Sequence, residues 1–382
     1  MAEVQGQCDE RFSAMRAVLS ASIDSGADLG ASVAVTLDSA MVVDLWGGWT
    51  DEAMTTPWAS DTLVNVWSTT KTMTSLAALV LVAQGELDID APVAKYWPEF
   101  AANGKESIAV RHVMSHTSGV SGWELPFTND DLYDWEKATA LLAKQAPWWA
   151  PGTASGYHAL NQGHLVGEVI HRITGQTLGP FFRDHVAAPL GADFHIGLDA
   201  RDDHRVANLI PPPPMDSSSM TLPAPDSPAM KTFLGPPIDA ASANTVPWRR
   251  AQIGAANGHG NARSIARLQS VVACDGEVDG VRLLSPEVCD LIFREQSNGP
   301  DLVLGVPLRF GIGYGLVEPH TFGHLPAGRV CHWCGYGGSV IVIDLDRRMT
   351  IAYAMNKMGT AILGDQRSRD LIAAAYAAIG HR

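Results

Sequence analysis

The sequence predicts an α+β fold: one antiparallel sheet built from both ends of the chain and flanked by helices, with a mainly helical region inserted between. Three observations predict it. Strand-like runs cluster near the two ends, at 32–46 and at 310–356. Helical patterns fill the middle and also stand at each terminus. No internal repeat divides the chain into a solenoid or propeller. Runs of strands and runs of helices that do not alternate favour α+β over a doubly wound parallel sheet. The division expected is 1–66 and 240–382 for the sheet region, 67–239 for the helical region, together forming one catalytic unit.

The elements follow in order. Phe12, Met15, Val18, Leu19 and Ile23 recur at helical spacing and predict an amphipathic helix over 9–25. Runs 32–37 and 41–46 form a hairpin around Asp38-Ser39-Ala40. The most apolar helical stretch is 69–84, closed by Gly85; apolar nearly all round, it should be buried. Further helices are expected at 107–116, ended by Thr117-Ser118-Gly119, at 135–145, and at 158–174, ended by Gly175. Nine prolines between 211 and 237 argue for a long irregular loop, either a surface excursion or a wall of the substrate site. A helix follows at 262–274, then strands at 310–318, 340–345 and 349–356, and a final helix at 366–379.

Composition narrows the function. The chain has 382 residues, 46% of them hydrophobic and 18% charged, an ordinary globular balance. Its formal net charge of −14 disfavours a non-specific nucleic-acid or anionic-membrane binder, because phosphate contacts need basic patches. The longest apolar run, 76–83, is too short to span a bilayer. Five cysteines make no disulfide framework and suit a reducing compartment. The first ten residues carry no basic and apolar signal segment, so the expected location is cytoplasmic. The oligomeric state is left open.

Three local features carry chemistry. In Ser68-Thr69-Thr70-Lys71, residues i and i+3 share a helix face, which sets the lysine beside the serine hydroxyl. A lysine at a helix N-terminus against apolar surface is pushed toward its neutral form and can take the hydroxyl proton. Alone, the tetrapeptide reads as a capping serine and a solvated lysine; the apolar helix it opens shifts the balance. Tyr157, after Pro151-Gly152, can point into a cleft and shuttle a proton, its phenol easier to ionise beside Lys71⁺. As an isolated residue it is equally a core tyrosine. In His332-Trp333-Cys334-Gly335-Tyr336-Gly337-Gly338-Ser339 the glycines let backbone approach a ligand, or simply make a tight turn before a strand.

Together these features resemble the serine β-lactamase/penicillin-binding-protein-like superfamily, and most closely its family VIII carboxylesterases. Ser68-Thr69-Thr70-Lys71 is similar to the family's Ser-x-x-Lys, and Tyr157 to the tyrosine of its second motif. Trp333-Cys334-Gly335 falls where β-lactamases carry Lys-Thr-Gly and the esterases often carry Trp-Gly-Gly. The stretches 111–119, 163–168, 258–268 and 279–287 are similar as well, so the resemblance runs from about residue 10 to 378.

The resemblance implies a β-lactamase-like fold with Ser68 as nucleophile, Lys71 as its proton acceptor and Tyr157 as the paired acid/base. It implies an oxyanion hole from the backbone N–H groups of Ser68 and Tyr336. Trp333, Cys334, Gly335, Trp123 and His158 are expected to bind substrate, a small-molecule ester; aromatic residues 135, 148 and 149 would help form an apolar pocket or else serve the core. Two departures stand out. Ala159 replaces the asparagine two residues after the tyrosine, and Lys and Thr are missing from the third motif. Their loss favours short-chain or apolar neutral esters over β-lactams. Alternatives on the same site are a transacylase or a D-amino-acid peptidase or amidase, and, in another class, a non-catalytic binding module.

No cofactor and no metal are expected. His112 and His116 have helical ligand spacing, but Val113 stands where zinc proteases need Glu. Cys331-x-x-Cys334 precedes a strand, whereas redox motifs of that type precede a helix.

Overall fold

The computed structural model describes residues 3–214 and 223–380. Its central element is a nine-stranded antiparallel sheet. The strands are β1 (Gln5–Cys8), β2 (Gly30–Leu37), β3 (Ala40–Gly48), β4 (Ser297–Pro300), β5 (Pro307–Phe310), β6 (Gly315–Leu316), β7 (Val330–Cys334), β8 (Val340–Asp344) and β9 (Met349–Met355). Their spatial order is β1-β3-β2-β9-β8-β7-β6-β5-β4. The N-terminal hairpin thus joins the last strand of the chain, with Val33 opposite Tyr353 and Val35 opposite Ile351. The expectation of one sheet built from both chain ends holds.

Seven helices carry the remaining argument: α1 (Ser13–Asp24), α2 (Thr70–Ala83), α3 (Val110–Met114), α4 (Trp135–Lys144), α5 (Gln162–Thr174), α6 (Ala262–Ala273) and α7 (Gln366–Ala378). α1 and α7 pack on each other and against the sheet, while α6 contacts β2, β8 and β9 and touches α2 beyond. Strands covered on both faces lose their polar alternation. That is why β8 and β9 are buried throughout. Every residue of α2 from Thr70 to Leu81 is buried, as a helix without a polar face requires. One continuous apolar cluster runs from the sheet into the helical region.

Several boundaries differ from expectation. The helix expected from 158 starts at Gln162. The amides before it are bonded elsewhere: Gly156 N to His116 O, Tyr157 N to Asp301 and His158 N to His116 Nδ1. The helix expected over 107–116 shortens to α3. The expected strand 310–318 is the end of β5, a bend and β6. Strands β1, β4 and β7 have no apolar alternation to betray them; β7 reads Val-Cys-His-Trp-Cys and is buried throughout. Within the proline-rich stretch, residues Pro228–Leu234 are helical, because Pro228 stands at the first helical position and the Ser227 side chain accepts the Met230 N–H. Residues 215–222 of that stretch lie outside the described residues.

Candidate active site

Ser68 sits in a single tight turn, Trp67–Thr69, that leads directly into α2. The turn is held from below. Val64 and Asn65 pair with Gly260 and His259, and the Thr70 hydroxyl donates to Trp67 O and accepts from Gly258 N. Trp67 adopts φ +46, an unusual conformation for a bulky residue. Its ring packs on Trp248 at 5.1 Å and edge-on to Tyr336 at 5.6 Å. Ser68 is buried to 8% exposure at the positive end of a helix, a site suited to developing negative charge.

Lys71 lies one turn further on, 2% exposed. Its Nζ is 3.1 Å from Ser68 Oγ, 2.8 Å from Ala159 O and 2.8 Å from Ala255 O. Burial disfavours the ammonium and holds its pKa well below the usual lysine value. A neutral amine has two N–H bonds and one lone pair. The two carbonyls accept two of its N–H bonds, and a proton lost from the third position, the one directed at Ser68 Oγ, leaves a lone pair facing the serine hydroxyl. Ala159, where the asparagine was missing, serves through its carbonyl.

The Tyr157 hydroxyl completes the arrangement. It accepts the Trp333 indole N–H at 3.1 Å and lies by the Ser68 side chain. Burial pushes its pKa above the ordinary phenol value, against the lowering effect of the neighbouring Ser68 and Trp333 groups. Burial thus disfavours the charged form of both Lys71 and Tyr157, a direction opposite to the easier ionisation expected of the phenol beside Lys71⁺. The three side chains stand in order: Trp333 N–H donates to the Tyr157 hydroxyl, that hydroxyl lies by Ser68, and Lys71 Nζ donates to Ser68 Oγ.

The third motif closes the site. β7 ends at Cys334 and the chain turns through 335–339. A Cβ on Gly335 would stand 2.2 Å from both Val66 O and Ser339 Oγ, so only glycine lets the strand end lie against the nucleophile turn. The Ser339 hydroxyl donates to Val66 O at 2.8 Å and lies 3.0 Å from Thr69 Oγ1. Among the described residues, the N–H groups of Ser68 and Tyr336 have no hydrogen-bond partner. Two such amides on facing turns can receive an oxyanion.

The structure brings Ser68, Lys71, Tyr157, Trp333, Gly335 and Tyr336 together. It does not bring Trp123: that ring stacks on Phe127 at 4.3 Å, donates to Ala138 O, and is a core side chain. His158 is fully buried behind the site, its Nδ1 on Gly156 O and its Nε2 on Ser118 Oγ. Burial lowers its pKa to about 3. Cys334 is buried, with its thiol pushed up to about 12, so it lines the third motif as an apolar group. Trp135 is tied to Glu168 and stacks on His164, while Trp149 lies beside Gly156.

Two residues that the spacing did not single out for the site support Tyr157. One is Asp301, 2% exposed, whose Oδ1 accepts the N–H groups of Tyr157, Val303 and Leu304 at 2.9–3.0 Å. The other is His116, at φ +63, which packs its ring 5.0 Å from that of Tyr157 and accepts the His158 N–H. Burial holds it neutral. A left-handed, non-glycine residue is invisible to periodicity; the Thr-Ser-Gly stop beside His116 was the only hint. His112 Nδ1 accepts the Ala109 N–H. Among the described residues no cluster of three His, Cys, Asp or Glu side chains can hold a metal ion.

Fold and site together define a serine acyl-transfer scaffold of the β-lactamase and penicillin-binding-protein type. The Beta-lactamase family model matches residues 15–375, and the chain belongs to that family. It is similar to the Esterase/beta-lactamase LipL of Mycobacterium tuberculosis, 35% identical over 93% of this chain and 83% of that protein. A crystal structure of a family VIII carboxylesterase matches with a TM-score of 0.92 at 40% identity, over 98% of this chain and all of the other. A penicillin-binding protein homologue from Caulobacter crescentus matches with a TM-score of 0.89 at 36% identity, over 98% and 99% of the two chains.

Proposed function

We propose that this chain is a serine carboxylesterase that cleaves neutral esters with short or apolar acyl groups through an acyl-enzyme on Ser68. The observation that carries the reading is the buried Lys71 Nζ, 3.1 Å from Ser68 Oγ and held by the carbonyls of Ala159 and Ala255, with the Trp333–Tyr157 hydrogen bond beside it. Ser68 Oγ attacks the ester carbonyl while its proton passes to Lys71 Nζ. The carbonyl oxygen becomes an oxyanion and takes the free N–H groups of Ser68 and Tyr336. As the intermediate collapses, the C–O bond to the alcohol breaks and the Tyr157 phenol protonates the departing oxygen. Lys71 returns its proton to Tyr157. Water then repeats the sequence on the acyl-enzyme and releases the acid.

The third motif supports neutral substrates. An indole N–H stands on Tyr157 where a β-lactamase would present a lysine, so the third motif sets no cation beside the phenol. A β-lactam carboxylate would meet apolar surface from Trp333 and Cys334. We assign weak or no β-lactamase activity for that reason. The five free cysteines fit action in a reducing compartment such as the cytoplasm. No helix among the described residues is long and apolar enough to cross a membrane.

Initial rates on p-nitrophenyl esters of increasing acyl length, on nitrocefin and on a D-alanine p-nitroanilide test this reading. The short esters should turn over fastest and nitrocefin orders of magnitude more slowly. Nitrocefin turnover equal to that of the esters would overturn the neutral-ester assignment. Amide turnover without ester turnover would make the site a peptidase. Faster product formation on adding an alcohol acceptor, with the acyl group found on that alcohol, would make it a transacylase.

A further inference from the structure

We infer that Arg367, on the C-terminal helix, is a positioning residue that aims and polarises the Tyr336 oxyanion donor through two peptide units. The inference rests on the reading of the Tyr336 amide as part of the oxyanion hole. The turn 335–339 is fixed on its inner side by the contacts of Gly335 and Ser339 with Val66. Its outer side is fixed by Gly337 O, which accepts Arg367 Nη2 at 2.7 Å and Gly359 N at 2.8 Å.

The bonds continue inward. Gly337 C=O and Gly338 N–H are the two ends of one planar peptide unit. Gly338 N–H donates to Gly335 O at 3.1 Å. Gly335 C=O and Tyr336 N–H are the two ends of the next unit. The guanidinium therefore pulls on one end of a two-peptide relay whose other end is the free Tyr336 N–H. Chains of hydrogen bonds polarise one another, and a cation at the head strengthens each donor downstream.

The rest of the molecule is arranged around that guanidinium. Its Nη1 donates to Asp28 Oδ1 at 2.9 Å, to Lys357 O at 2.8 Å and to Ala27 O at 3.2 Å; its Nε donates to Asp365 at 3.0 Å. Asp28 is itself buried and receives the Tyr353 and Ser22 hydroxyls, each at 2.6 Å. The turn is fitted to the arginine in return. A Cβ on Gly338 would lie 2.7 Å from Arg367 Nη2, and Gly338 adopts φ +133. Arg367 touches no reacting atom; it acts on the donor that does.

The test compares Arg367→Gln and Arg367→Lys with the unmodified protein on one ester and on its thionoester, whose sulfur accepts hydrogen bonds poorly. Deleting a whole oxyanion donor costs ~10²–10³ in kcat. Misaiming one should lower the ester kcat of Arg367→Gln by about tenfold or more with KM nearly unchanged. The preference for ester over thionoester should shrink in parallel, and Arg367→Lys should recover part of both. A purely structural brace would alter melting temperature and yield without changing that preference. Folded Arg367→Gln with unmodified kcat and preference overturns the inference; should Arg367→Gln fail to fold, Arg367→Lys decides by the same two readouts. Absence of Ser68-dependent ester turnover in the unmodified protein would overturn the esterase reading instead. Turnover with no ester-over-thionoester preference would overturn the oxyanion assignment.

Discussion

Lys71 is the residue on which the chemistry turns. It is the only lysine in α2, and burial disfavours its charge while two carbonyls accept its N–H bonds. The pH dependence follows from the sign of that shift. A base must be deprotonated to act, so kcat/KM should climb as Lys71 loses its proton, well below the ordinary lysine value. It should then stay level into alkaline solution, because burial keeps the Tyr157 phenol protonated beyond its usual range. A profile on a chemically stable ester checks this; a midpoint near the ordinary lysine value of 10.5 would contradict it. Tyr157→Phe keeps the ring against Trp333 and His116 but removes the proton donor, and should lower kcat by about 10²–10⁴. Asp301→Ala leaves the amides of Tyr157, Val303 and Leu304 without their shared acceptor and should destabilise the protein by about 1–3 kcal/mol, measured by urea unfolding.

At the scale of elements, the site is the meeting of three pieces: the start of α2, the irregular segment before α5, and the end of β7. The first was legible, since an unbroken apolar helix after a Ser-x-x-Lys is a strong pattern. The second was legible in residue type but not in shape. Tyr157 stood out, yet the helix was placed four residues early, because no periodicity reports that Asp301 and His116 bind the intervening amides. The third was read as a glycine turn, while β7 itself went unseen; His332 and two cysteines buried in a strand carry no alternation. Trp123 misled for the opposite reason. Aromatic residues near a site in sequence serve core and cleft alike, and only packing separates them. The β7 end gives a direct prediction. In Gly335→Ala the new methyl meets the Val66 carbonyl at 2.2 Å, a contact that the backbone must move to relieve. Overpacking of this kind costs about 1–3 kcal/mol. The turn carrying Tyr336 would be driven from Ser68, so kcat should fall even at temperatures where the variant stays folded.

For the whole molecule, the sheet needs both chain ends: β2 from the beginning pairs with β9 from the end, and α1 lies on α7. The fold class was readable because strands clustered at the termini, and the β2 edge of the N-terminal hairpin is completed by the last strand of the sheet. The apolar cluster does not stop between sheet and helical regions, so the two should unfold together. Far-ultraviolet dichroism, tryptophan emission and loss of esterase activity should give one coincident transition in urea; two separated transitions would show the helical region to be an independent domain. The most direct test of the account is to trap the acyl-enzyme: brief reaction with p-nitrophenyl butyrate, acid quench, intact mass and peptide mapping. A single butyryl group on Ser68, absent from Ser68→Ala, is the predicted result. Steady ester turnover with no adduct on Ser68, or undiminished turnover in Ser68→Ala, would contradict it.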